Sequence, residues 1–116
     1  MDIQHYLQKK NLSPIVSVEG NGIIPLSKEQ YEEIRPITTA QTRLKPGQRT
    51  KAHVHKETSF YLVKGLALEL YKNVVELPQQ ALVIIKPGVE HPWIAHTSGE
   101  VCDVPANFVH KPHIVL

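Results

Sequence analysis

His53 and His55 stand two residues apart. In an extended segment, side chains at i and i+2 share one face, roughly 6.5 Å apart along the chain. Two imidazoles so placed can converge on one metal ion between them. A third imidazole, His91, ends the run Lys86-Pro-Gly-Val-Glu-His91. That run has the composition of a tight turn and sets His91 at the mouth of a strand. Seven histidines in 116 residues is the unusual count of this composition. Of the other four, His5, His110 and His113 lie towards the ends and read as solvated. His96 has opposite parity to His91 and reads as outward. Cys102 is the one cysteine, so an internal disulfide and a cysteine-rich metal site are both excluded. It reads as a small buried hydrophobe, since the sequence sets no base beside it.

These residues need a scaffold, and 13.1 kDa makes one domain. With 41% hydrophobic and 21% charged residues, neither a disordered nor a fibrous chain is expected. The net charge of +2 comes without a basic block, so no nucleic-acid footprint is expected. The longest aliphatic run, 81–85, is far short of the ~20 residues of a membrane span. The first twenty residues carry Asp2, Lys9 and Lys10 and no apolar stretch, so no secretory signal is read and a cytoplasmic protein is expected.

Residues 2–10 read as a short helix with Asp2 as N-cap and Ile3, Tyr6 and Leu7 on one face. Ser27 to Gln30 reads as a capping box, with Leu26 and Tyr31 as a hydrophobic staple. A second helix over 28–35 follows, stopped by Pro36. A strand is expected over 15–18 and a turn at Gly20-Asn-Gly22. Beyond Pro36 the period changes, and strands are expected over 37–44, 52–55, 59–63, 66–72, 74–77, 81–85, 93–96 and 101–104. Short strands at this spacing, separated by turn residues, indicate an all-β sandwich or barrel. The expected plan is an N-terminal arm with one or two short helices over 1–36, a β core over 37–105 and a C-terminal tail over 106–116.

Two segments carry a family resemblance. Pro46-Gly47, five residues, His53-Val54-His55, then Phe60-Tyr-Leu-Val-Lys-Gly65, resembles the first motif of the cupin superfamily. Val83-Ile-Ile-Lys-Pro-Gly88-Val-Glu-His91 resembles the second. The resemblance spans about residues 38–105 and implies a single-domain jelly-roll β-barrel. It also implies a divalent metal held by the first-motif histidine pair, a Glu and the second-motif histidine, and it makes a homodimer the expected assembly. The arm over 1–18 is a candidate for exchange between copies.

Carried over by position, His53, His55 and His91 are the metal ligands. The Glu is where the sequence departs: seven positions before Gly65 stands Thr58. Glu57 is adjacent, and strand parity aims it away from Thr58, Phe60 and Leu62, though a bulge could swing it inward. Three neutral imidazoles with open positions suit Fe(II), Zn, Mn, Ni or Cu. The alternatives are a three-histidine site and a site completed by Glu57 as ligand or acid–base group. Thr58, Phe60, Leu62 and Trp93 are the candidate pocket residues, and Tyr61 and Tyr71 read as outward. The resemblance implies a metal-dependent enzyme acting on a small polar metabolite, either a dioxygenase or a sugar-type isomerase or epimerase. A non-catalytic module that binds a sugar or organic acid is the alternative. A metal-free epimerase using a His base and a Tyr acid is disfavoured, because no tyrosine reads as inward.

Overall fold

The computed structural model describes residues 2–106. The expected tail, with His110 and His113, falls almost wholly outside the described residues. The Asp2 carboxylate accepts from the His5 N–H at 2.7 Å and caps α1 (Ile3–Lys9), satisfying one orphan donor of the helix start. Ile3, Tyr6 and Leu7 form its buried face, packed on the chain's own sheet. Ser27 and Gln30 cap each other reciprocally at α2 (Lys28–Ile34), and Leu26 and Tyr31 are buried in one cluster. Pro36 lies in the 3-10 turn Arg35–Ile37 that follows.

Nine strands complete the fold of the described residues. They are β1 (Val16–Val18), β2 (Asn21–Pro25), β3 (Ala40–Leu44), β4 (Ser59–Lys64), β5 (Ala67–Leu70), β6 (Asn73–Glu76), β7 (Gln80–Ile85), β8 (Trp93–Ile94) and β9 (Gly99–Val104). Six form an antiparallel sheet in the order β1-β2-β7-β4-β9-β3, and three form a second in the order β6-β5-β8. The described residues are therefore mostly β, with two antiparallel sheets and two short α-helices, as the sequence implies.

The central strands of the large sheet are apolar on both faces. Ile24, Phe60, Leu62, Leu82, Cys102 and Val104 pack with the residues of α1 and α2. On the other face Ile23, Tyr61, Val63, Ala81, Val83, Ile85 and Val101 meet Leu68, Leu70 and Trp93 of the small sheet. Successive residues of β4 and β7 thus alternate between two cores, not between core and water.

Several details differ from the sequence reading; the strand expected over 66–72 ends at Leu70, with Tyr71 and Lys72 in the turn that follows. The turn before β2 lies at Glu19-Gly20, both with positive φ (48 and 88), and Asn21 and Gly22 already belong to the strand. Asn21 is buried because its amide is used: it donates to the Val18 carbonyl and to Tyr71 Oη, and accepts from the Lys86 N–H. Residues 52–55 form no strand; they are exposed and lack a ladder partner, and the His55 carbonyl accepts instead from the Gly88 N–H at 2.9 Å. The third strand begins at Ala40, after the 3-10 turn. The eighth ends at Ile94, short of His96. At Gly65 the motif glycine has a structural cause: φ is +73, and a Cβ would lie 2.9 Å from the Ser98 carbonyl oxygen.

Strands β5 and β6 are joined by two residues, Tyr71 (φ 51) and Lys72 (φ 66). A pair of left-handed residues in such a turn normally calls for Asn-Gly. The Asn21 amide that donates to Tyr71 Oη helps to hold the turn in place. A side chain in this conformation costs about 1–2 kcal/mol, whereas glycine's extra freedom in the unfolded chain costs about 0.4–1 kcal/mol. Lys72→Gly is therefore expected to stabilise the fold by roughly 0.5–1 kcal/mol. A rise in the urea midpoint at constant slope would bear this out, and a fall would contradict it.

Candidate metal centre

The site is assembled from two segments that carry no ladder between them. Residues 47–50 run along β8: Gly47 N–H donates to the Ala95 carbonyl, Ala95 N–H to the Gln48 carbonyl, and Thr50 N–H to the Trp93 carbonyl. Trp93 N–H donates in turn to Thr50 Oγ1 at 2.9 Å. This carries the chain past the edge of the small sheet, where residues 53–55 turn back over the loop before His91. The Gly88 N–H bonded to the His55 carbonyl then joins the two segments directly.

His53, His55 and His91 each offer a ring nitrogen, and the three nitrogens lie within 4.8 Å of one another. The ring centroids are 4.5 Å apart for His53–His91, 5.0 Å for His53–His55 and 5.3 Å for His55–His91. Two nitrogens on one ion with bonds of about 2.0–2.1 Å are themselves about 3–4 Å apart. Small rotations of the exposed His53 and His55 bridge that difference, while His91 is fully buried and fixed.

The proton positions follow from the acceptors. His91 Nδ1 lies 2.9 Å from the Val89 carbonyl oxygen, which can only accept, so Nδ1 carries the proton and Nε2 the lone pair. His53 repeats the pattern, its Nδ1 donating to the Lys51 carbonyl at 3.3 Å. In both, a backbone carbonyl two residues earlier orients the ring and leaves Nε2 with the free lone pair, the support that metal-binding histidines use. Burial pushes the His91 pKa down, and the neighbouring His53 and His55 push it the same way against the Val89 hydrogen bond. His91 is thus held neutral, as a ligand must be. The donor set fits a divalent transition metal of the imidazole-binding kind.

Glu57 is exposed and outside this group of donors, although it lines a cleft of about 270 Å³ beside it. His55, Thr58, Ser59, Phe60, Tyr61 and Asp103 line the same cleft. Thr58 is exposed. Trp93 sits beside His91 on the inner face, 6.3 Å between ring centroids. Phe60 and Leu62 face α1 and α2, so the inward parity assigned to them is reversed.

The residue that reading missed is Tyr61. Its hydroxyl is 2.7 Å from His91 Nε2, and its ring is edge-on to Trp93 at 5.2 Å. Burial pushes the Tyr61 pKa up; the Ser59 hydroxyl opposes this and Asp103 adds to it. The run Phe60-Tyr-Leu-Val63 is apolar throughout, so it carries no alternation from which parity could be read. The helices that cover the outer face are the cause. Cys102, by contrast, is as expected: fully buried, with its thiol pushed up to about 11 by burial and by Glu100.

No protein-family model matches the sequence, and no curated protein matches it. Solved structures superpose on most of the chain. A cupin-2 domain containing protein from Shewanella frigidimarina shares 12% identity with a TM-score of 0.48, covering 88% of this chain and 92% of that one. Salicylate 1,2-dioxygenase from Pseudoaminobacter salicylatoxidans, in a structure of its adducts with gentisate, shares 17% identity with a TM-score of 0.46. That match covers 86% of this chain and 29% of the dioxygenase. At these scores the superpositions lend the chain no activity and no substrate.

Because Glu57 lies outside the donor group, Glu57→Gln is expected to change metal affinity little. His55→Ala is expected to lower it by more than the roughly 10–100-fold that an outer-shell partner is worth. Calorimetric titration of both variants checks this, and equal losses would make Glu57 a ligand.

Proposed function

We propose that this chain is a small cupin-type protein that holds one divalent transition metal at His53, His55 and His91 and acts there as an enzyme on a small polar metabolite. The observation that carries the reading is the convergence of three imidazole nitrogens within 4.8 Å. The order and spacing of the two motifs and the two-sheet fold agree with it. Of the two chemistries, dioxygen chemistry has more support than isomerisation. A donor set of three imidazoles without a carboxylate suits dioxygen chemistry, whereas an isomerase would have to draw its base from Glu57 or Asp103 in the adjoining cleft.

A metal bound by three neutral imidazoles keeps its charge and open positions, and would polarise an oxygen of the substrate. The chain's own residues set the rest. His91 and His53 are held in one tautomer by backbone carbonyls. Trp93 and Val89, both buried, wall the inner side and exclude water. The cleft beside His55 admits a small molecule, with the exposed Glu57, Thr58 and Asp103 side chains as its polar partners. For the homodimer, the support is the pair Ile15 and Val16, exposed at the edge of the large sheet.

One observation favours a second reading. The Tyr61–His91 pair, 2.7 Å apart, has the geometry of an acid and a base, which a metal-free epimerase would use. Activity that survives a chelator would select it. Ligand binding without turnover would select the non-catalytic module.

The test is metal content by mass spectrometry on untagged protein, for the wild type and for His53→Ala and His91→Ala. The expected result is stoichiometric transition metal in the wild type, lost in both variants, with the β circular dichroism unchanged. Full metal retention in both variants, or none in the wild type after reconstitution, would overturn the assignment.

A further inference from the structure

The lone pair that His91 would give to a metal is already in use. The Val89 carbonyl fixes the proton on Nδ1, so Nε2 is the one nitrogen of this ring that can bind a cation. Tyr61 Oη lies 2.7 Å from that same Nε2. Nε2 has no proton to give, so the phenol donates. Both side chains are buried, His91 at 0% and Tyr61 at 4% exposure, so water cannot easily take over either end of the bond. An imidazole nitrogen has a single in-plane lone pair. A cation about 2.0–2.1 Å from Nε2 needs the direction the hydroxyl occupies.

We propose that Tyr61 is a latch on this site: its hydroxyl caps His91 Nε2 in the metal-free protein and must leave that lone pair before a divalent cation can bind. The inference rests on the three-histidine reading and adds a residue to it. Tyr61 is a positioning residue here, acting on the metal through His91. Its ring is confined on one side by Trp93, edge-on at 5.2 Å, so the movement is a displacement of the hydroxyl end towards the cleft it already lines with Ser59 and Asp103. The latch holds the buried histidine in its metal-ready tautomer while the site is empty. It then frees a phenol O–H beside the bound ion. The competition lowers affinity: removing the hydroxyl removes the bond that the metal must break.

The test is titration of metal-free wild type, Tyr61→Phe and His53→Ala with Co(II), read by visible absorption and by competition with a chelator. Tyr61→Phe is expected to bind Co(II) about three- to tenfold more tightly than the wild type, the range set by one net hydrogen bond. His53→Ala is expected to lose binding. Equal or weaker binding by Tyr61→Phe, with His53→Ala still inactive in binding, would overturn the latch and leave the site standing. No Co(II) binding by the wild type would overturn both. A measurement on the wild type alone covers the case in which Tyr61→Phe does not fold. The buried Tyr61 hydroxyl proton, hydrogen-bonded to nitrogen, is expected as a downfield proton resonance coupled to His91 Nε2. It should disappear at saturating Zn(II), and its persistence there would overturn the proposal.

Discussion

One backbone hydrogen bond brings the candidate site together: the Gly88 N–H donating to the His55 carbonyl at 2.9 Å. Residues 51–58 are exposed and have no strand partner among the described residues, so this bond is what fixes their backbone there. The turn that contains Gly88 is rooted in the body, because Val89 and His91 are buried and Asn21 clamps the neighbouring Lys86 N–H. The bond transfers that rigidity to the histidine pair. The result is a centre with one fixed ligand and two adjustable ones. Such an arrangement tolerates the small rotations that the nitrogen separations require.

The second constraint is electrostatic. Three imidazoles within 4.8 Å cannot all hold a proton on the facing nitrogens. Burial and mutual repulsion keep His91 neutral, and the Val89 carbonyl decides which nitrogen faces the others. Tyr61 supplies a proton donor in the place where a cation would sit, and it satisfies the buried His91 Nε2. The same geometry explains why the metal-binding reading and the acid–base reading share their residues. They differ in what faces His91 Nε2.

Much of this was legible in the sequence. The capping residues Asp2 and Ser27 announced both helices, and the turn residues between short apolar runs announced the strands. The resemblance of two segments to cupin motifs marked out His53, His55 and His91, the residues that converge. What was not legible has one main cause. The large sheet is covered on both faces, so β4 reads Phe-Tyr-Leu-Val without alternation, and the inward residue proves to be Tyr61 while Phe60 and Leu62 meet the helices. A strand buried on one face would have revealed its parity. The strand expected over 52–55 failed for a different reason: the segment's hydrogen bonds go to a turn, and a sequence pattern does not record where a carbonyl finds its donor. Asn21 is a third case. A turn-forming residue type is buried within β2 because three partners satisfy its amide, and two of them, Tyr71 and Lys86, lie far from it in the sequence.

The central claim, a metal held by three histidines and no carboxylate, is tested most directly by X-ray absorption spectroscopy on the metal-reconstituted protein. The account predicts three imidazole scatterers at about 2.0–2.1 Å, with the remaining ligands light, exchangeable and displaced by a small anion. A first shell with fewer than three imidazoles, or with a protein carboxylate that vanishes in Glu57→Gln, would contradict it.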